Sequence, residues 1–512
     1  MIARAHRHHL RGRAVVWAQA GLVCALVCAP TVNRARADAA TDYYAQSLAA
    51  TRVLQHWYNA QGLWDTTGWW NAANCLEAVE RMIELNNGTE YLDVLRTTFA
   101  RNRTADFLNE FYDDEGWWAL AWVRAYDLTG ERHYLRAAQT IFTDMISGWD
   151  DHCGGGVWWK KDRQYKNAIP NELLLLLATR LHQRTPGDRG PGSCLDWAQR
   201  EWEWFKASGM INAEQLVNDG LDADCRNNRQ TTWTYNQGVI VGGLVELYRS
   251  TGRADYLTQA IAIGDAATTQ LVNAAGILRE PNERRGLRGG DGPQFKGIFI
   301  RHLAELYEVT GFVRYREFME RNAKSVWENN RDARGRFGGR WAGPVDSVDA
   351  ARHSSALRVI CALAEPRLVS DTRPVLQRFK TPEQAHEVGR PRGETQWIAE
   401  PVMDENSGYI VKAAGMQPLP PGTYAADFEL KLDYPAGLPA VLARISIWDA
   451  NTGRELTGRE LSSEHFPNAL YQIFTLHFQV LAGQEVEART FWYRIPGAPG
   501  LIHRNISLRS VN

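Results

Sequence analysis

Four stretches of this chain share one punctuation, and it limits the fold more than any other feature. Tyr126-Asp127-Leu128-Thr129-Gly130 precedes Tyr134-Leu135, Leu247-Tyr248-Arg249-Ser250-Thr251-Gly252 precedes Tyr256-Leu257, and Leu306-Tyr307-Glu308-Val309-Thr310-Gly311 precedes Tyr315. A looser copy is Leu85-Asn86-Asn87-Gly88 before Tyr91-Leu92. Each reads as a helix stopped by a glycine cap, a short turn and the start of another helix. Between the copies, apolar residues recur at three- and four-residue spacing, as in Ala119 to Val123, Leu173 to Leu181 and Val239 to Tyr248. About six helical hairpins fit between residue 38 and residue 366. Closing them into a ring buries every apolar face and leaves no terminal repeat exposed, so the expected architecture is an (α/α)6 barrel, with an open helical solenoid as the alternative. Aromatic and glycine-rich loops between the copies would gather at one end and line a cleft.

The texture then changes. Residues 367–394 carry Pro374, Pro382 and Pro391 with many charges, and read as a linker or strap. From 395 to 512 the pattern is β: Tyr424 to Leu432, Val441 to Trp448, Tyr471 to Leu481 and Glu487 to Tyr493 are strand candidates, and together they suggest a small β-sandwich.

The N-terminus reads as a signal peptide over residues 1–37, with Arg4, Arg11 and Arg13 ahead of an apolar run and Ala35-Arg36-Ala37 before Asp38. The run is too short to span a bilayer. The expected location is secreted, periplasmic or cell envelope, with no membrane association after cleavage. Removing the segment takes arginines and no acids, so the mature chain is acidic and asks for no nucleic acid. Five cysteines remain: Cys75, Cys153, Cys194, Cys225 and Cys361. None forms a zinc-type spacing. Export permits a disulfide, and Cys194–Cys225 is the pairing expected.

The sharpest chemistry lies in Phe111 to Ala121, where Asp113, Asp114 and Glu115 sit at the entry to a helix beside Trp117 and Trp118. Acids there cap a helix and suit its dipole. One carboxylate suffices for that. Two, with one kept protonated by burial and mutual repulsion, are the equipment of glycoside hydrolysis. The 20 tryptophans fit either sugar stacking or large helical cores. Further candidates for substrate contact are Asp151 and Trp158 in the glycine-rich segment 148–159, Asn167 and Asn171, then Tyr235, Asn236 and Gln237, and Lys296. Each also has a plain structural reading, in turns, loop bracing or ion pairing. Asp150, Asp151 and His152 could hold a metal, and Asp222 with Asp224 hints at calcium without the required glycine; no metal is assigned.

The strings DDEGWWALA, WDDHCGGGVWW, YKNAIPNELL, TWTYNQGVIVGGL and FKGIFIRHLAEL, in this order, resemble glycoside hydrolase family 76, the endo-α-1,6-mannanases. GLWDTTGWWNAANCLEAV, which holds Trp69 and Asn74, also fits. The resemblance covers residues 40 to 366. It implies an (α/α)6 barrel and endo-hydrolysis of an α-1,6-mannan or manno-oligosaccharide with retention, by a monomer without cofactor. It places the nucleophile on Asp113 and the general acid/base on Asp114, and it adds Trp69, Asn74 and Trp117 as substrate contacts. The C-terminal sandwich looks like the galactose-binding-like modules, with Trp448, Trp492 and Tyr493 as stacking or core residues. Competing functions are a mannan transglycosylase using the same acids, a non-catalytic mannan-binding protein, and a lyase or uronyl hydrolase on the same scaffold. The last would want a basic cleft.

Overall fold

A computed structural model describes residues 43–283, 291–368, 374–414, 418–437 and 439–511. The signal-peptide reading over 1–37 lies outside the described residues. Twelve helices are present among the described residues: α1 (43–54), α2 (Trp69–Leu85), α3 (Leu92–Asn102), α4 (Tyr112–Thr129), α5 (Arg132–Ser147), α6 (Ala168–Arg184), α7 (Cys194–Ala207), α8 (Thr234–Thr251), α9 (Ala254–Gln270), α10 (Gly292–Thr310), α11 (Val313–Asn329) and α12 (Ala350–Leu363).

The even-numbered helices form an inner ring. Each packs on the next, α2 on α4, α4 on α6 and so on to α12, which returns to α2. Their side chains are buried nearly all round, as in the run Trp117 to Val123 of α4. The odd-numbered helices lie outside and bury one face each; α5, for example, buries Tyr134, Leu135, Ala138, Ile141, Phe142 and Met145. The repeat read from the sequence falls on this plan. Gly130, Gly252 and Gly311 end α4, α8 and α10 in the left-handed conformation, and their N–H groups bond the carbonyls of Tyr126, Tyr248 and Tyr307. Tyr134, Tyr256 and Tyr315 then anchor the following outer helices, fully buried.

A second repeat, at the other end of the ring, is not evident from the sequence. Asn59, Asn212, Asp222, Asn273 and Asp332 each open a tight loop in which the side-chain Oδ1 accepts the N–H groups two and four residues on. A short antiparallel bridge closes each one, such as Ile211 with Val217 and Arg331 with Phe337.

The C-terminal domain is two facing antiparallel sheets. One runs β2 (Arg390–Arg392), β3 (Gln396–Ala399), β10 (Leu501–Ser510), β5 (Gly422–Leu432), β8 (Gln472–Val480), with β1 (Gln377–Lys380) also on β10. The other runs β4 (Gly408–Ala413), β9 (Val486–Trp492), β6 (Val441–Asp449), β7 (Arg454–Ser462). Phe428, Leu430, Ile445, Ile447, Trp492 and Ile506 fill the space between them. Trp492 is therefore core, while Arg489 covers the Trp448 ring at 4.4 Å. The segment expected to be a linker is not one throughout: β1 and β2 within it pair with β10 and β3, so the sheet begins at Gln377.

The two domains meet at the C-terminal ends of the inner helices. Glu84 of α2 takes Arg81, Arg124 of α4 and Lys431 of β5, the last at 2.8 Å. Asn87 and Tyr471 bond each other twice, and the Ala469 N–H donates to the Asp127 carbonyl at 2.7 Å. The opposite end of the ring stays open.

Candidate active site

Asp113 and Asp114 lie at that open end, in the first turn of α4. The segment before them is zipped to the segment after the glycine-rich loop. Tyr112 N–H donates to the Trp159 carbonyl at 3.0 Å, and Lys161 N–H to the Glu110 carbonyl at 3.0 Å. The zipper carries Trp159 over the acids, where its indole N–H donates to Asp113 Oδ2 at 3.1 Å. Asp113 Oδ1 is buried without a partner. Asn109 Nδ2 donates to Asp114 Oδ2 at 2.7 Å. Burial, then the neighbouring Asp114 charge, lifts Asp113 well above the usual carboxylate range. Burial, with Asp291 and Glu110 adding repulsion, lifts Asp114 to about 6.

Glu115 is held in structural contacts. It is fully buried behind the pair, accepts the Asn109 N–H at 2.9 Å, and holds Lys161 at 2.8 Å, which also meets Asp144. It thereby fixes the backbone of the residue that holds Asp114.

Four aromatic rings from four inner helices form the bed of the site. Trp70 stacks near Trp117 (5.5 Å between centres) and Phe295 (6.3 Å), Trp117 near Tyr235 (6.3 Å), and Tyr235 directly on Phe295 (3.8 Å). Trp70 Nε1 donates to Asp291 Oδ1 at 3.0 Å. Asp219 accepts the Tyr165 hydroxyl at 2.6 Å and Trp233 Nε1 at 3.0 Å. The Tyr235 hydroxyl is raised by burial and then by Asp219, Asp113, Glu172 and Asp291, which puts acids around one patch of stacked rings. Such an arrangement suits a neutral polyhydroxyl ligand, whose hydroxyls donate to carboxylates while its ring faces rest on indoles.

The sequence candidates divide. Asp113, Asp114, Trp117 and Tyr235 come together here. Asn74 lies one turn below Trp70, its amide 3.4 Å from the Trp70 carbonyl, and Asn167 caps α6 with its Oδ1 buried and unpartnered. Asn236 is fully buried with neither amide atom partnered. Trp69 instead packs between Phe107, on which it stacks, and Trp118, to which it is tilted. Asn171 and Gln237 are clamps: the first bonds both backbone groups of Val157, the second both of Val217. Lys296 is fully buried and bonds Glu283 (2.8 Å) and the Gly339 carbonyl (2.6 Å). Trp158 is tied through Nε1 to Asp150 and stacks on His152, and Asp151 is exposed at the loop rim. Trp70, Trp159, Asp219 and Asp291 are not among the sequence candidates, although Trp70 and Trp159 sit inside segments the sequence marks out.

The expected Cys194–Cys225 disulfide is replaced by Cys153–Cys225. Cys194 starts α7 and is free. Cys225 belongs to the loop that packs on the glycine-rich segment, so the bond ties two walls of the site. His152 also lies near these sulfurs, but both are already bonded to each other and offer no metal thiolate. Asp150 is engaged by Trp158, Arg163 and Lys166, and Asp222 Oδ1 closes its own turn.

Comparison with known proteins identifies the family of the helical domain. The model for glycosyl hydrolase family 76 matches residues 33–372. A putative mannan endo-1,6-alpha-mannosidase of Schizosaccharomyces pombe is 27% identical over 286 residues, 51% of this chain and 64% of that protein. The mannan endo-1,6-alpha-mannosidase DFG5 of Saccharomyces cerevisiae is 27% identical over 274 residues, 48% of this chain and 58% of that protein. The alignments thus span less than two thirds of these relatives. Among solved structures, an inactive variant of the alpha-1,6-mannanase GH76A of Salegentibacter, with two consecutive aspartates replaced by asparagine and alpha-1,6-mannotriose bound, superposes with a TM-score of 0.56 at 25% identity, covering 63% of this chain and 98% of that one. The Lin0763 protein of Listeria innocua gives 0.56 at 26% identity, covering 62% and 96%.

Proposed function

This chain belongs to glycosyl hydrolase family 76, and from that premise we propose that it is an exported, retaining endo-α-1,6-mannanase working through Asp113 and Asp114. The observation that carries the proposal is the adjacent pair of raised carboxyls above the Trp70, Trp117, Tyr235 and Phe295 rings. The inactive Salegentibacter variant, changed at two consecutive aspartates, supports the same pair.

The Asp114 charge opposes ionisation of Asp113, so the free pair tends to keep a proton. With the proton on Asp114, the acid faces the glycosidic oxygen and Asp113 is the nucleophile. The Trp159 N–H favours ionised Asp113. So does positive charge developing at the anomeric carbon, which offsets the burial that holds Asp113 up. Asp113 Oδ2 or Oδ1 bonds to the anomeric carbon as the glycosidic bond breaks, and the Asp114 proton goes to the leaving oxygen. Asp114, now a base, takes a proton from water, which displaces Asp113 and returns the original anomeric configuration.

The same reading takes the ring as an (α/α)6 barrel, because inner and outer helices alternate around it. It takes the two-sheet domain as galactose-binding-like, with its first and last strands paired. The Cys153–Cys225 bond supports export to an oxidising compartment. Among the described residues no helix is long and apolar enough to cross a membrane.

Single variants Asp113→Asn and Asp114→Asn are the test. Each is expected to lower kcat on linear α-1,6-mannan by a factor on the order of a thousand or more, and NMR of the first product should show the α-anomer. Near-normal hydrolysis by Asp113→Asn, or an initial β-anomer, rejects the proposal.

A further inference from the structure

Beneath the aromatic bed the ring is hollow. The Arg301 guanidinium lies 5.9 Å from the centre of the Trp117 ring. Arg301 also lines a cavity of about 810 Å³ between the C-terminal halves of the inner helices and the sandwich. That volume lies within the roughly 300–1,000 Å³ of small-molecule sites. The largely exposed loops at 186–191 and 495–498 form its outer part.

Most charges around the cavity are matched. Asp127 takes Arg184 in two bonds of 2.7 and 2.6 Å, Arg180 meets Glu305 at 2.7 Å, and Arg392 meets Glu308 at 2.9 Å. Two groups are unfinished. Glu80 is fully buried with no partner on either oxygen. Arg358 donates one bond, to the Glu77 carbonyl at 2.7 Å, and meets no carboxylate at ion-pair distance among the described residues. Burial shifts both toward neutrality, Glu80 upward and Arg358 down to about 10. Both residues line the cavity, and each feels the other's charge.

Paired charges elsewhere leave little to attract a net charge, and burying one unpaired is costly. A hydroxyl meets both unfinished groups at once, since it can donate to a carboxyl oxygen while accepting from a guanidinium. Ala304, Ala362, Met403 and Tyr434 supply apolar wall for carbon atoms. We infer that the cavity between ring and sandwich binds a neutral polyol of mono- or disaccharide size through Glu80 and Arg358, at a site separate from Asp113 and Asp114. This inference does not depend on the proposed reaction.

Mannose, glycerol and inorganic phosphate serve as probes on the full chain, followed by ligand-observed NMR and thermal melting. Mannose is expected to titrate a site that Glu80→Leu and Arg358→Met each weaken at least tenfold. Glu80→Gln keeps an acceptor and a donor and should retain it, and Trp70→Ala, which alters only the open cleft, should leave it unchanged. Glu80→Leu replaces an unpartnered buried acid by an apolar side chain, so its unliganded Tm should hold or rise, which separates lost binding from misfolding. Mannose binding untouched by Glu80→Leu and Arg358→Met overturns the inference. So does stabilisation by phosphate without stabilisation by mannose, which would make the cavity an anion site.

Discussion

The indole N–H of Trp159 donates to Asp113 Oδ2 across 3.1 Å, and that bond joins the glycine-rich loop to the first turn of α4. A donor here stabilises the ionised form of Asp113. On the proposed roles Asp113 must be ionised to attack, so activity fails as pH falls through its pKa. Trp159→Phe removes the donor and keeps an aromatic ring. The limb of kcat/KM set by Asp113 should move to higher pH and kcat should drop about tenfold or more. An unmoved limb in a pH–rate profile would separate Trp159 from Asp113.

Asp114 titrates near 6 because burial lifts it, and the Asn109 amide restrains the rise. As the proposed general acid it must hold a proton, so one limb of the kcat/KM profile on mannan should lie near pH 6. Asn109→Ala frees Asp114 from its 2.7 Å bond. That limb should then shift upward while kcat falls, because the acid is no longer aimed. A downward shift of that limb contradicts the assignment.

The Cys153–Cys225 bond closes a separation of 72 residues. Chain-entropy reasoning puts its worth at about 2–4 kcal/mol. It also joins the loop preceding Trp159 to the loop following Asp219. Cys153→Ser with Cys225→Ser should lower Tm and reduce mannan hydrolysis more than the stability loss alone explains. Cys194→Ser should change neither. Calorimetry and a reducing-sugar assay on both variants check this.

The pH response of stability should differ between the two ends of the ring. Glu84 is held well below its ordinary value; burial opposes this, and Arg124, Lys431 and Arg81 outweigh it. A depressed acid contributes stability above the unfolded value, lost as pH falls. Glu84→Ala leaves three cations facing each other and should cost about 3–5 kcal/mol at neutral pH. Glu172 and Glu201 are the reverse case, fully buried, unpartnered and raised by burial. A raised acid contributes its stability below the ordinary carboxylate range and loses it as pH climbs toward the folded value. Glu201→Leu should therefore raise Tm at pH 8 and change it little at pH 4. A larger gain at pH 4 than at pH 8 would refute the sign.

The helices were legible because their apolar spacing and glycine caps are local. The acid pair was legible because both members sit in one motif. What stayed hidden depends on direction and distance. Trp69 and Trp70 differ by about 100° around α2, and on a helix buried nearly all round the sequence gives no sign of which indole faces the axis. Asn171, Gln237 and Lys296 are polar residues on buried helices, where bracing a loop and holding a ligand look the same in one dimension. Asp219 lies in a plain Asn-Asp-Gly loop and gains meaning only from Tyr165 and Trp233. The pairing of Cys225 with Cys153 follows from which loops pack. β2 is three residues with a central proline, tolerable only at a sheet edge, and carries no strand signal of its own.

Trp117 stands between the open cleft and the hollow below it, buried and braced on one side by Trp70 and Tyr235 and neighboured by Arg301. A ring plugged at mid-depth is a dish rather than a pipe. A long glycan cannot be threaded through it end first and reeled out at the far side. On the proposed reaction it is laid across the rim and lifted off again, so any internal residue of the polymer can come to rest above Asp113, and each cut begins from a fresh encounter.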